Sequence, residues 1–231
     1  MIATDHVNNF FLDNMPAMCM GIADNYGEPA TAERRLQVQP TSVRGGGSVA
    51  MHLLRSVLQD GVACSFSHHL QLDHSMRIPL SYLMPAGDKA FIPIYQNCVA
   101  APLPPVRSCW ALGRALRRAI ESLPGDERVA VIGSGGLSHW VGTPEMGQIN
   151  EDWDRQLLDL LANGNSSQLA DWSDAQIEPA GNGAHEIRNW ATALGAAEGA
   201  RVEVLAYEPV HEWLTGIAVC DVVLSRAGAH P

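Results

Sequence analysis

Three histidines in this chain stand where an apolar stretch ends or gives way to a turn. Asp5-His6 precedes VNNFFLDNMP, Asp73-His74 precedes SMRIPLSYL, and His139 follows the glycine turn GSGGLS. A carboxylate, Glu186 in GNGAHEIRNW, stands at the expected start of a helix otherwise built of apolar and neutral residues. Imidazole titrates close to neutrality and is also a common metal ligand, so these residues suit proton transfer or a metal centre of imidazoles and a carboxylate. Spacing alone does not choose between these and a plainer reading, in which Glu186 simply interacts with the amide dipoles of its own helix start.

The segment VIGSGGLSHW excludes several motifs. Starting at Gly133, a dinucleotide fingerprint would need its last glycine at Ser138. A phosphate loop needs a lysine that is absent, and a nucleophile elbow around Ser134 would need a glycine at Ile132. What remains is a tight glycine turn that lets backbone approach closely and presents His139 as a proton-transfer residue. His52 inside an amphipathic helix, His211 near a turn and His230 in the tail have ordinary explanations; His68 and His69 are harder to dismiss, although a strand end is the most economical reading of SHHLQ.

The 231 residues carry a net charge of −10, with only 15 Lys and Arg scattered along them. That balance opposes nucleic acid and anionic membrane surfaces, which need clustered positive charge. No apolar run approaches the roughly 20 residues of a membrane helix, and the N-terminus lacks signal-peptide order, so a cytoplasmic protein is expected. The five cysteines, Cys19, Cys64, Cys98, Cys109 and Cys220, are widely spaced and read as reduced thiols, most of them small buried hydrophobes.

Apolar β-rich runs (GVACSF, AFIPIY, VAVIG, RVEVLAY, GIAVCDVVL) alternate with segments of helical period. This predicts an α/β single domain over residues 1–231, with a central mixed β-sheet flanked by helices. Ser48 is a candidate N-cap for a helix stopped at Gly61, and Asn150 for one ending at Gly164. Further helices are expected over Trp110–Ser122 and His185–Ala197, and a long surface loop over Asn25–Gly47.

Taken together, DHVNNFFLDNMP, LQLDHSMRIPLSYL, GSGGLSHW and GAHEIRNWATALGA resemble the class III, or LigB-type, extradiol ring-cleavage dioxygenases. The likeness runs over nearly the whole chain in the family's order, and HEIRNW is closer to the propionate-cleaving branch. It implies Fe(II) as cofactor, a catechol-type aromatic and O₂ as substrates, and ring opening outside the diol in aromatic-compound catabolism. It implies His6 and Glu186 as metal ligands, with His139 as the principal base and His74 as hydrogen-bond donor and acid. The exact split between these two histidines is open, and Asp73 can instead orient a neighbour. It further implies a homo-oligomer, and a small partner subunit is compatible with it.

The family pattern also calls for a histidine ligand on a strand some tens of residues before Asp5-His6, whereas this chain starts at Met1. The expectation is therefore a dioxygenase domain lacking the family's N-terminal segment. Either the sequence is a fragment or misassigned start of a longer dioxygenase, or it is a shortened homologue whose iron site is lost or rebuilt, with His68 or His69 as substitutes that the spacing does not demand. The alternative to an enzyme is a non-catalytic homologue or structural subunit. The substrate is not fixed: an anionic ring substituent would need a cation such as Arg77 or Arg188, and both have an ordinary surface-ion-pair reading.

Overall fold

The computed structural model describes residues 1–28 and 42–224. His230 and the middle of the expected Asn25–Gly47 loop lie outside them. The contacts gather into two compact units, residues 1–104 with 115–135, and residues 105–114 with 136–231.

The first unit carries a four-stranded mixed sheet in the order β1 (Ile2–Thr4), β6 (Ile94–Gln96), β2 (Met18–Gly21), β5 (Ser65–Ser67). β1 and β6 are parallel with Ile2 opposite Ile94, β2 runs antiparallel to β6, and β2 and β5 are parallel. Three of these short strands are covered: β1, β2 and β6 are buried at every position, whereas β5 is largely exposed. Helix α1 (Gly47–Gln59) packs on β2 and α2 (His74–Leu83) on β1. Ala3, Cys19, Leu72, Met76, Leu80 and Tyr95 are at the centre of the core that results. The expected mixed sheet flanked by helices is present.

Several local expectations are corrected. Helix α1 is capped by Gly46 rather than Ser48. The chain passes so close to Ala23 that a methyl on Gly45 would lie 2.0 Å from its carbonyl oxygen, and this contact sets the helix start. Gly61, at φ +78°, follows the helix as expected. The ends of the polar loop pair as β3 (Asn25–Tyr26) and β4 (Val43–Arg44), with Tyr26 and Val43 buried. VAVIG forms no strand: Val129 is 40% exposed, and the segment meets the sheet only around Gly133, where Ile2 N–H donates to Ile132 O and Ser134 N–H to Ile2 O. GVACSF is extended as strand only from Ser65.

The second unit holds α4 (Glu151–Ala162), a short α5 (Asp174–Ile177), α6 (Ile187–Ala196) and a long hairpin of β7 (Arg201–Val210) and β8 (Thr215–Val223). Helix α3 (Val106–Glu121) contributes its first half to this unit. There it meets α6 closely: a methyl on Gly113 would lie 2.1 Å from Thr192 O, and one on Gly195 2.4 Å from Trp110 O. Thr192 Oγ1 donates to Cys109 O across the same crossing (3.0 Å). The expected helix over His185–Ala197 is divided into a 3₁₀ turn at Asn182–Glu186 and α6, so Glu186 is the N-cap of α6.

Asn150 caps α4 as expected, accepting from Trp153 N–H at 3.1 Å while its own amide donates to Pro179 O. Asn150→Ala should lower unfolding free energy by about 1 kcal/mol, read as a lower urea midpoint. An unchanged midpoint would show that the cap is redundant.

Candidate active site

In the first unit the site is built around Asp73, which is fully buried at the N-cap of α2. Its carboxylate accepts from Ser75 N–H (3.2 Å), the Ser75 hydroxyl and the Tyr95 hydroxyl (3.2 Å). It also accepts from both His6 N–H (3.2 Å) and His6 Nδ1 (3.1 Å). Because a carboxylate can only accept, Nδ1 carries the ring proton, and a metal bound by His6 is bound through Nε2. The His74 ring lies over that of His6, with centroids 4.3 Å apart.

Burial pushes the Asp73 carboxyl up, but donation from His6 and Ser75 outweighs it and holds the group below its ordinary value. Burial, reinforced by the Asp73 charge, drives the Tyr95 phenol well above its own. A depressed carboxyl contributes stability that is complete above its unfolded pKa and lost as pH falls through the folded one. In metal-free protein, the stability gap between wild type and Asp73→Asn should thus close as pH falls below about 5. Denaturant midpoints measured across that range check it, and a gap that widens in acid would contradict it.

His6 is itself held by its neighbours. Asp5, 2% exposed, accepts from the backbone N–H groups of Asn8, Asn9 and Phe10 and from the Asn9 amide. This cradle keeps Val7 at φ +56°, a conformation costing a β-branched residue on the order of 1–3 kcal/mol. The roles of Asp5 and Tyr95 escaped sequence reasoning. An aspartate three residues before Asn-Asn was a usable signal for the first, and nothing local marked the second. Pro79 lies inside α2 and has no N–H for Ser75 O; the Ser134 hydroxyl, from the glycine turn, donates there instead (3.2 Å).

In the second unit His139 and Glu186 are joined through backbone. Gly136 N–H donates to Glu186 Oε2 (2.7 Å), and Glu186 is 8% exposed. His139 N–H donates to Ala180 O and its carbonyl accepts from Gly183 N–H. His139 Nδ1 lies 3.0 Å from Leu137 O, which can only accept, so Nδ1 carries the proton and Nε2 is the acceptor. A methyl on Gly183 would lie 2.1 Å from Nε2, and one on Gly181 2.1 Å from His139 O, so the 181–183 backbone fits against this residue.

His68 and His69 are exposed after β5, His211 is exposed in a turn, and His52 Nε2 lies 3.0 Å from the Ser122 hydroxyl. Arg77 and Arg188 are not surface ion pairs. Both are buried, Arg77 donating to Leu72 O and Gly27 O, Arg188 to Asp174 and to His185 Nδ1. Burial and the Arg188 charge lower the His185 pKa. Cys19, Cys64, Cys98 and Cys109 are buried, and burial pushes the Cys19 thiol up to about 12. Among the described residues no helix is long and apolar enough to cross a membrane.

Two imidazoles and a carboxylate gathered around His6 are donors of the kind that hold a divalent metal. Ligand atoms of His6, Asp73 and His74 all lie within 4.8 Å of one another. Asp73 already receives donors from three side chains, and its bond from His6 Nδ1 is the carboxylate–histidine pairing that orients an imidazole for a metal.

Residues 1–219 match the family model described as the catalytic LigB subunit of aromatic ring-opening dioxygenase. The chain belongs to the LigB family. Curated relatives named 2,3-dihydroxyphenylpropionate/2,3-dihydroxicinnamic acid 1,2-dioxygenase agree. One from a Rhodococcus species is 30% identical, over 96% of this chain and 84% of that protein. One from Klebsiella pneumoniae is 29% identical, over 94% and 82%, and one from Mycolicibacterium vanbaalenii 33%, over 83% and 72%. The crystal structure of an uncharacterized Escherichia coli K12 protein, JW3007, shares the fold, with a TM-score of 0.54 at 12% identity over 84% of this chain and 76% of that one. This LigB chain is therefore an enzyme of the ring-cleaving dioxygenase class.

Proposed function

We propose that this LigB protein uses Fe(II) and O₂ to cleave a catechol-type aromatic outside its diol, with His6 and Glu186 as metal ligands and His139 and His74 handling protons. The observation that carries the reading is the paired state of the two imidazoles: His6 has Nδ1 committed to Asp73, and His139 has Nδ1 committed to Leu137 O. Each histidine is thus held in one tautomer with Nε2 as its donor of electrons, to a metal in one case and to a proton in the other.

Fe(II), when bound, supplies a redox-active centre with open positions for a catecholate and O₂. His139 Nε2 accepts a catechol hydroxyl proton, which makes the diol a better chelator. His74, at the start of α2, hydrogen-bonds the second hydroxyl or the oxygen and returns a proton as the ring opens. Asp73 keeps the His6 ring oriented throughout, and its depressed pKa keeps it anionic at neutral pH.

The names of the relatives support a catechol bearing a three-carbon acid side chain as the first substrate to try. The test is a panel of catechols, with and without such a side chain, given to protein loaded anaerobically with Fe(II). Matched O₂ uptake and appearance of a yellow ring-opened product support the reading. Folded, iron-loaded protein that consumes no O₂ with any of them contradicts it.

A further inference from the structure

Asp154 is a carboxylate to which the reaction above gives no part, yet it is fully buried in the first turn of α4. Acidic residues in a helix's first turn are normally solvated, favoured there by the amide dipoles, as Glu151 and Asp152 can be. Asp154 instead turns inward and binds neutral donors. Ser138 N–H donates to Oδ1 and the Ser138 hydroxyl to Oδ2, each at 2.8 Å, and the Tyr207 hydroxyl donates to Oδ2 at 2.9 Å. Burying a carboxylate against neutral partners costs free energy that an apolar residue would not. Burial accordingly pushes this carboxyl's pKa up, with the Ser138 and Tyr207 donors opposing the rise.

What the arrangement achieves is a two-point hold on a single residue, and that residue immediately precedes His139. The rest of Ser138 is held too: its hydroxyl accepts from Asn150 N–H (2.8 Å) and its carbonyl from Gly216 N–H (3.0 Å). Leu137 N–H donates to Gly216 O, and a methyl on Gly216 would lie 2.0 Å from Asp154 Oδ2, so this hairpin residue must be glycine for the carboxylate to reach Ser138. The path of residues 137–139 decides where Leu137 O lies, and Leu137 O is what His139 Nδ1 donates to.

We infer that Asp154 is a positioning residue for His139, fixing the 137–139 backbone so that the imidazole presents Nε2 as a proton acceptor. The inference rests on His139 being the base of the proposed reaction. The rival is a purely structural Asp154 that ties α4 to the hairpin through Tyr207.

Four variants separate the two: Asp154→Asn, Ser138→Ala, their double mutant, and Tyr207→Phe. Kinetics would be read with a catechol that the wild type cleaves, and the His139 tautomer from ¹⁵N imidazole shifts assigned against His139→Gln. Asp154→Asn should lower kcat about tenfold with KM within about twofold, as a small misplacement of a catalytic group does. It should also convert the His139 signal from the Nδ1–H form to a mixture of tautomers. Ser138→Ala should reproduce both effects, the double mutant should lose no more than either alone, and Tyr207→Phe should keep wild-type kcat. If Asp154→Asn fails to accumulate, Ser138→Ala carries the test alone. Wild-type kcat and an unchanged His139 tautomer in Asp154→Asn, with only the melting temperature lowered, would overturn the inference. Absence of turnover in the wild type would count against the dioxygenase reading alone, leaving the tautomer measurement to decide on Asp154.

Discussion

His139→Ala should fold like the wild type and lose about 10²–10⁴-fold in kcat, the usual contribution of a positioned general base. The side chain is half-buried, and among the described residues the bond it gives up is the one from Nδ1 to Leu137 O. The backbone around it is held independently, by Ala180 O and Gly183 N–H on His139 itself and by Gly216 on Leu137 and Ser138. Losing the ring therefore leaves one carbonyl to be hydrated and little else to rearrange, a change on the order of 1 kcal/mol. Steady-state kinetics beside a thermal melt check this. A variant that stays within about tenfold of wild type would take the base role away from His139 and leave His74 as the candidate.

Gly183→Ala is expected to do nearly as much damage by way of one methyl group. That methyl would lie 2.1 Å from His139 Nε2 and 2.2 Å from Cδ2, which no pair of bonded-apart heavy atoms tolerates. Either the imidazole rotates away, breaking the Nδ1 bond to Leu137 O, or the 181–183 segment retreats and loosens the Gly183 N–H bond to His139 O. Both routes displace the proposed base, so kcat should fall about 10²-fold, with roughly 1–3 kcal/mol lost in stability from overpacking. The Glu186 carboxylate is held separately by Gly136 N–H, so iron binding should survive while turnover does not. Loss of both together would place the damage at the metal rather than at the base.

The class of fold was legible because β-rich and helical periods alternate, and the helices with end signals were found near where they lie: Asn150 and Gly164 bracket α4, and Gly61 follows α1. The helix that begins at His74 was not anticipated, because Pro79 argues against it and its consequence is repaired by Ser134, 59 residues away. VAVIG has a strand's composition but not its burial. At the site, Asp5-His6, Asp73-His74, the glycine turn and Glu186 were each recognisable as local patterns. What those residues bond to was not, since Tyr95, Gly183 and Asp154 reach them through the fold. Asp154 reads in EDWDRQ as one more solvated acid at a helix start, and Arg77 and Arg188 read as surface cations although both are buried.

The most direct measurement is iron stoichiometry and catechol-dependent O₂ uptake in the same anaerobically loaded samples of wild type, His6→Ala and Glu186→Gln. The account predicts that the wild type holds iron stoichiometrically and consumes O₂ only when a catechol is present, and that each variant loses bound iron and uptake together. Unaltered iron binding and O₂ uptake in either variant would contradict the proposed ligands, and a folded, iron-loaded wild type that leaves catechols intact would contradict the proposed reaction.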